Sequence, residues 1–109
     1  MGYKLYLDDI RDPKDSGYSS NDDWEICRTP EEAMQTIKVL GCPYFISFDH
    51  DMGMGTMLTG MDLAKWIVKK NEKKEIFLPS AFSFKVHSAN PIGAENIRSY
   101  LNNYLEMIR

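Results

Sequence analysis

Cysteine and histidine are both scarce in this chain of 109 residues, two of each. Cys27 and Cys42 have no CxxC spacing and flank a predicted helix. They read as small core residues of a reducing compartment, which excludes a disulfide framework and a cysteine-built zinc site. No apolar run approaches the ~20 residues of a bilayer crossing. Met1-Gly2-Tyr3-Lys4-Leu5 leads straight into strand-like sequence with no signal-peptide core, so a cytoplasmic location is expected. Repeats and low-complexity stretches are also missing. So is any excess of basic charge: the net charge is −3, which excludes a broad grip on duplex nucleic acid.

What is present is ordinary globular composition, 43% apolar and 27% charged, in a length that suits one core. A single domain over residues 1–109 is expected. Most acidic side chains fall in the first half. The bases of the second half gather in Lys65, Lys69, Lys70, Lys73 and Lys74, where they complement the C-terminal dipole of a predicted helix.

Lys4-Leu5-Tyr6-Leu7 predicts a strand that stops at Asp8-Asp9. Residues 10–22 are rich in turn formers and allow at most one irregular helical turn. Asp23-Trp24-Glu25-Ile26-Cys27 predicts a second strand. Thr29 as N-cap, Pro30 at the first helical position and Glu32 three residues after the cap open a helix that Gly41 closes. Tyr44-Phe45-Ile46-Ser47-Phe48 predicts a third strand, exiting into Asp49-His50-Asp51. After a loop with Gly53 and Gly55, a helix is predicted from about Gly60 to Lys73. Phe82 to Val86 predicts a fourth strand, exiting into His87-Ser88-Ala89-Asn90. A final helix follows Pro91, with Ile97, Leu101, Tyr104 and Leu105 on one face. Trp24 and Trp66 are expected in the core, whereas Met52, Met54 and Met57 suit either core packing or an adaptable apolar surface.

Strands alternating with helices predict an α/β fold, a three-layer parallel sheet of about four strands with right-handed crossovers. All strand exits then lie on one edge, where ligands of such folds bind. Asp8, Asp9, Asp49, His50, Asp51, His87, Ser88 and Asn90 should therefore meet there. Four converging carboxylates cannot all stay ionised without compensation. Oxygen ligation by Asp8, Asp9 and Asp49 suits magnesium. Ligation that includes His50, Asp51 and His87 suits manganese, or less well zinc. Without a metal, imidazolium groups and Arg11 could offset the charge. His50 and His87 could then serve as general base and general acid. Ser88, Asn90 and the helix amides near Gly93 and Ala94 are candidates for holding phosphate oxygens.

Asp8-Asp9, Asp49 and Ser88 resemble the acidic pair, the phosphoacceptor aspartate and the hydroxyl residue of response-regulator receiver domains. The strand order of that family implies 2-1-3-4 here. The chain departs from it in stopping after four βα units, in lacking a lysine after a fifth strand, and in adding His50 and His87. Leu5 to Pro13, Asp49-His50-Asp51-Met52-Gly53, Thr59-Gly60-Met61-Asp62 and His87 to Gly93 are similar to the hallmark segments of cyclic-phosphate processing receiver domains of bacteria and their phages. That resemblance implies a phosphoesterase acting on a cyclic phosphate of a nucleotide or RNA end, in a host cytoplasm if phage-encoded. Its catalytic residues would be His50, His87, Asp49 and Asp51. Arg11, Ser88, Asn90 and Gly93 would bind substrate, and Asp8, Asp9 and Asp49 a divalent metal. Two other functions fit the same residues: a non-catalytic nucleotide-binding or protein-inhibiting module, and a degenerate phospho-accepting receiver. Oligomeric state is not specified by the sequence.

Overall fold

A computed structural model describes residues 2–53 and 55–109, so the loop residue Met54 lies outside the described residues. The elements follow in the order β1 (Lys4–Leu7), a 3-10 turn (Pro13–Ser16), β2 (Trp24–Cys27), α1 (Pro30–Leu40), β3 (Phe45–Phe48), α2 (Gly60–Glu72), β4 (Ser83–Val86) and α3 (Pro91–Ile108). The four strands form one parallel sheet in the order β2-β1-β3-β4, a receiver-like arrangement. No helix of the described residues is long and apolar enough to cross a membrane.

Local chemistry sets the element ends. The Thr29 hydroxyl caps α1 by accepting from the Glu32 amide at 3.1 Å, and the Glu32 carboxylate reaches one residue past the cap to accept from the Arg28 amide at 2.8 Å. At the start of α2 the Thr59 amide donates to Asp62 at 2.8 Å. Four ends differ from expectation, one of them at Tyr44, which precedes β3. Asp23 precedes β2 because its φ of 67° lies in the left-handed region and cannot continue a strand. Phe82 precedes β4, its amide closing a turn onto the carbonyl of Pro79. At α2 the helix stops before Lys73, with Lys74 left-handed at φ 61°.

Handedness decides which face each connection covers. The steps β2 to β3 and β3 to β4 run one way across the sheet, and β1 to β2 runs the other. Right-handed crossovers therefore put the β1–β2 connection on the face opposite α1 and α2. Leu5, Leu7, Ile46 and Phe48 point to the helical face and form the core with Ala33, Ile37, Leu63, Ala64, Ile67, Ile97 and Leu101. Tyr6, Trp24, Phe45 and His87 occupy the other face, where the first three meet Tyr18 of the β1–β2 connection and His87 stacks on Tyr6. The layer on that face is irregular, with one 3-10 turn and no α-helix. Of the tryptophans, Trp66 packs against the core, whereas Trp24 lies in this aromatic cluster with Lys4 Nζ 4.6 Å from its ring centre. Met52 packs against the core, and Met57 is 98% exposed.

Gly60 opens α2 directly beneath the exit of β3. A Cβ there would lie 1.9 Å from the Asp49 carbonyl oxygen, so the helix can sit this close to the strand only without a side chain. Gly60→Ala is expected to cost about 1–3 kcal/mol, the range for overpacking, read from the urea midpoint. An unchanged midpoint would show that the approach is not tight.

Candidate active site

Asp8 follows β1 and is fully buried. Its Oδ1 accepts from the amides of Ile10 at 3.0 Å and Arg11 at 2.8 Å. Its Oδ2 accepts from Arg11 Nε at 2.8 Å and from His87 Nε2 at 3.0 Å. Four donors fill the acceptor sites of a carboxylate. Burial alone would raise the pKa of Asp8, but the two amides, His87 and the Arg11 charge together hold it below the usual value.

Asp49 follows β3 and is 5% exposed. It accepts from the His50 amide at 2.8 Å, and its Oδ2 lies 3.5 Å from an Arg11 guanidinium nitrogen. Burial and the neighbouring charge of Asp8 push its carboxyl above the usual range, against the opposing pull of Ser88, Arg11 and the His50 amide. Arg11 thus bridges two buried carboxylates while a third of its side chain stays exposed. Arg28 secures it from behind, donating to the carbonyls of Arg11 at 2.6 Å and Asp8 at 3.2 Å and to the Asp12 carboxylate at 2.6 Å.

His50 lies nearer the surface. Its Nδ1 is 2.8 Å from Asp51 Oδ1, and its Nε2 has no hydrogen bond among the described residues. The ring rests on the start of α3, where a Cβ on Gly93 would come within 2.4 Å of His50 Cγ. Asn90 ties this corner together: its Oδ1 caps the Gly93 amide at 2.9 Å, and its Nδ2 lies 3.3 Å from both Asp51 oxygens. Asn90, Gly93 and Ala94, the groups expected to hold phosphate, are thus engaged within the protein. The Gly93 amide is taken by the Asn90 side chain, the Ala94 amide donates to the Asn90 carbonyl, and Gly93 serves to make room for an imidazole.

His87 follows β4 and is placed differently from His50. Its side chain is 7% exposed, it stacks on Tyr6 with ring centres 4.5 Å apart, and both nitrogens are hydrogen-bonded within the protein. Burial lowers its pKa, outweighing the bond to Asp8 and the charges of Asp8 and Asp49. The expected meeting of four carboxylates is corrected, because they separate into three environments. Asp8 and Asp49 are a buried pair, and Asp51 is exposed beside His50. Asp9 turns toward the glycine loop, where a Cβ on Gly53 would lie 2.5 Å from its Oδ2. There it lines a hollow of about 280 Å³ with Arg28, Thr29, Gly55 and Thr56.

Asp8, Asp49 and His87 bring one ligand atom each within 4.8 Å of one another and could hold a metal ion, a set that includes His87 and omits Asp9. Its mixed oxygen and nitrogen donors suit manganese or zinc better than magnesium. A cation entering there must first displace Arg11 Nε or the His87 proton from Asp8.

A family model, the Cyclic-phosphate processing Receiver domain, matches residues 3–103. No curated protein and no solved structure is matched by the chain.

The depressed pKa of His87 fixes a direction for stability. Below its ordinary value of 6.5 the unfolded chain binds the proton more readily than the folded one. The contribution is complete above that value and is lost as pH falls through the folded pKa. Urea midpoints should fall between about pH 7.5 and about pH 5.5, and His87→Gln should flatten that slope. A midpoint that rises on acidification over this range would contradict the assignment.

Proposed function

Because the chain belongs to the cyclic-phosphate processing receiver domain family, we propose that its sheet edge hydrolyses a cyclic phosphate on a nucleotide or RNA end. The observation that carries this reading is a partly exposed imidazole, its Nε2 without a hydrogen bond among the described residues, next in the chain to a buried charge cluster. His50, braced by Asp51 and seated on Gly93, stands beside Asp49 in sequence and shares its backbone turn. In the reaction a water oxygen bonds to phosphorus and one ring P–O bond breaks. The water proton passes to His50 Nε2, and the freed ring oxygen takes a proton from the Asp49 carboxyl, whose raised pKa suits a proton donor. The product is an acyclic phosphomonoester. Arg11 directs its exposed guanidinium N–H groups at the non-bridging oxygens, and Ser88 fixes Asp49. His87, closed off from solvent, holds Asp8 and through it Arg11. In this reading it is a positioning residue, and His50 is the catalytic imidazole.

A divalent ion held by Asp8, Asp49 and His87 would supply further neutralisation of the phosphate charge, in place of the Asp49 proton. Two buried carboxylates against one guanidinium leave the Asp8–Asp49–Arg11 cluster net negative when both are ionised. An anionic ligand therefore gains from either a proton or a cation there.

A second reading, a binding module without turnover, draws support from the internal saturation of Asp8, His87 and Asn90. Phosphorus NMR with a tenfold excess of nucleoside 2′,3′-cyclic phosphates, cyclic dinucleotides or an ADP-ribose cyclic phosphate, with and without manganese, separates the two. Conversion of the excess is expected, with His50→Gln slower by about 10²–10⁴-fold. Protection of a single equivalent identifies a binding module, and a labile phosphoryl group on Asp49 after acetyl phosphate treatment identifies a phospho-accepting receiver.

A further inference from the structure

The face of the sheet opposite the helices holds a chain of hydrogen bonds that the proposed reaction does not use. The Tyr18 hydroxyl donates to Ser47 Oγ at 2.9 Å. Ser47 Oγ lies 2.7 Å from His87 Nδ1, and His87 Nε2 lies 3.0 Å from Asp8 Oδ2. Ser47 and Asp8 have no exposed surface, so each proton in the chain needs an acceptor inside the protein. An ionised carboxylate only accepts, and Asp8 already takes two amides and a guanidinium, so the proton between it and His87 belongs to Nε2. A neutral imidazole has no second proton, which makes Nδ1 an acceptor. Ser47 must supply that bond, and its own oxygen is then open to Tyr18. With His87 neutral, every donor finds one acceptor and no other direction satisfies all three links, whereas an imidazolium, donating from both nitrogens, would reverse the Ser47 link.

We infer that Tyr18, Ser47 and His87 form a one-way hydrogen-bond relay ending on Asp8, in which Tyr18 and Ser47 are positioning residues that hold His87 as its Nε2–H tautomer. Tyr18 lies in the β1–β2 connection, Ser47 in the middle of β3, and His87 and Asp8 at strand exits. The relay therefore joins the irregular layer to the Asp8–Arg11–Asp49 cluster. Parallel stacking of His87 on Tyr6, at an interplanar angle of 4°, keeps the imidazole in the plane that both bonds require. The Tyr6 hydroxyl is itself 2.6 Å from Ser16 in the same connection. This inference stands on geometry whether or not the site turns over a cyclic phosphate.

The test is long-range proton–nitrogen correlation NMR of the imidazoles in the intact, uniformly labelled chain, with His50→Gln to leave His87 as the one imidazole present. The expected spectrum at neutral pH shows His87 protonated at Nε2 alone, with Nδ1 an acceptor. Tyr18→Phe removes a hydroxyl two hydrogen bonds away. It should shift the Nδ1 resonance downfield, as Ser47 loses the polarisation that strengthens its donation, and Ser47→Ala should shift it further. A proton on Nδ1 in the parent spectrum overturns the relay, and that measurement needs neither Tyr18→Phe nor Ser47→Ala. Nitrogen resonances of His87 unchanged by Tyr18→Phe overturn the role of Tyr18. Neither readout depends on turnover, so a failed relay and a failed hydrolase reading give different results.

Discussion

Removing a carboxylate from water costs several kcal/mol unless donors replace the lost solvation, and Asp8 is buried without any exposed surface. The four hydrogen bonds that compensate it arrive from three directions: the turn after β1, the Arg11 side chain, and His87 at the end of β4. Because β3 lies between β1 and β4, a bond from His87 to Asp8 spans the exit of β3, where Asp49 sits. The requirement to satisfy one buried charge thus folds the β1 turn, orients Arg11 and closes the sheet edge.

From that constraint the two buried carboxylates acquire opposite character. Asp8 is surrounded by donors and held ionised. Asp49 receives fewer donors and feels the charge of Asp8, so burial moves it the other way. Adjacent carboxyls with diverging proton affinities are a recurrent basis for acid–base assignment. Here the divergence follows from how many donors each strand exit can present. The two histidines diverge similarly. Gly93 lets His50 lie against the start of α3, while Tyr6 and Ser47 enclose His87. Two imidazoles at neighbouring strand exits therefore have separate environments, one partly exposed and one enclosed by the protein.

Much of this architecture was legible in the residues themselves. Apolar runs ending in Asp8, Asp49 and His87, together with the Thr29-Pro30-Glu32 start of α1, were enough for a parallel sheet with its chemistry on one edge. Side-chain direction at that edge was not legible, because it depends on long-range partners. Ser47 is a lone polar residue in an apolar strand, and its alternation with Ile46 and Phe48 placed it on the face away from the helices. That was a signal for a buried polar contact, but nothing local named Tyr18 or His87 as its partners. Arg28 carried no motif, and its hold on the Asp8 and Arg11 carbonyls exists only once β2 lies beside β1. The glycines at 60 and 93 looked like helix-start residues. Their steric roles come from Asp49 and His50, elements that meet them only in the folded chain.

Asp8 is a fully satisfied buried carboxylate beside a partner driven the opposite way. Carbon-13 titration of the side-chain carboxyls, with Asp8 and Asp49 assigned, measures this directly while the fold persists. Asp8 should titrate below the ordinary aspartate value and Asp49 above it. An Asp8 carboxyl that titrates at or above its solution value would contradict the account, since the four-donor shell would then not be the interaction that organises the edge.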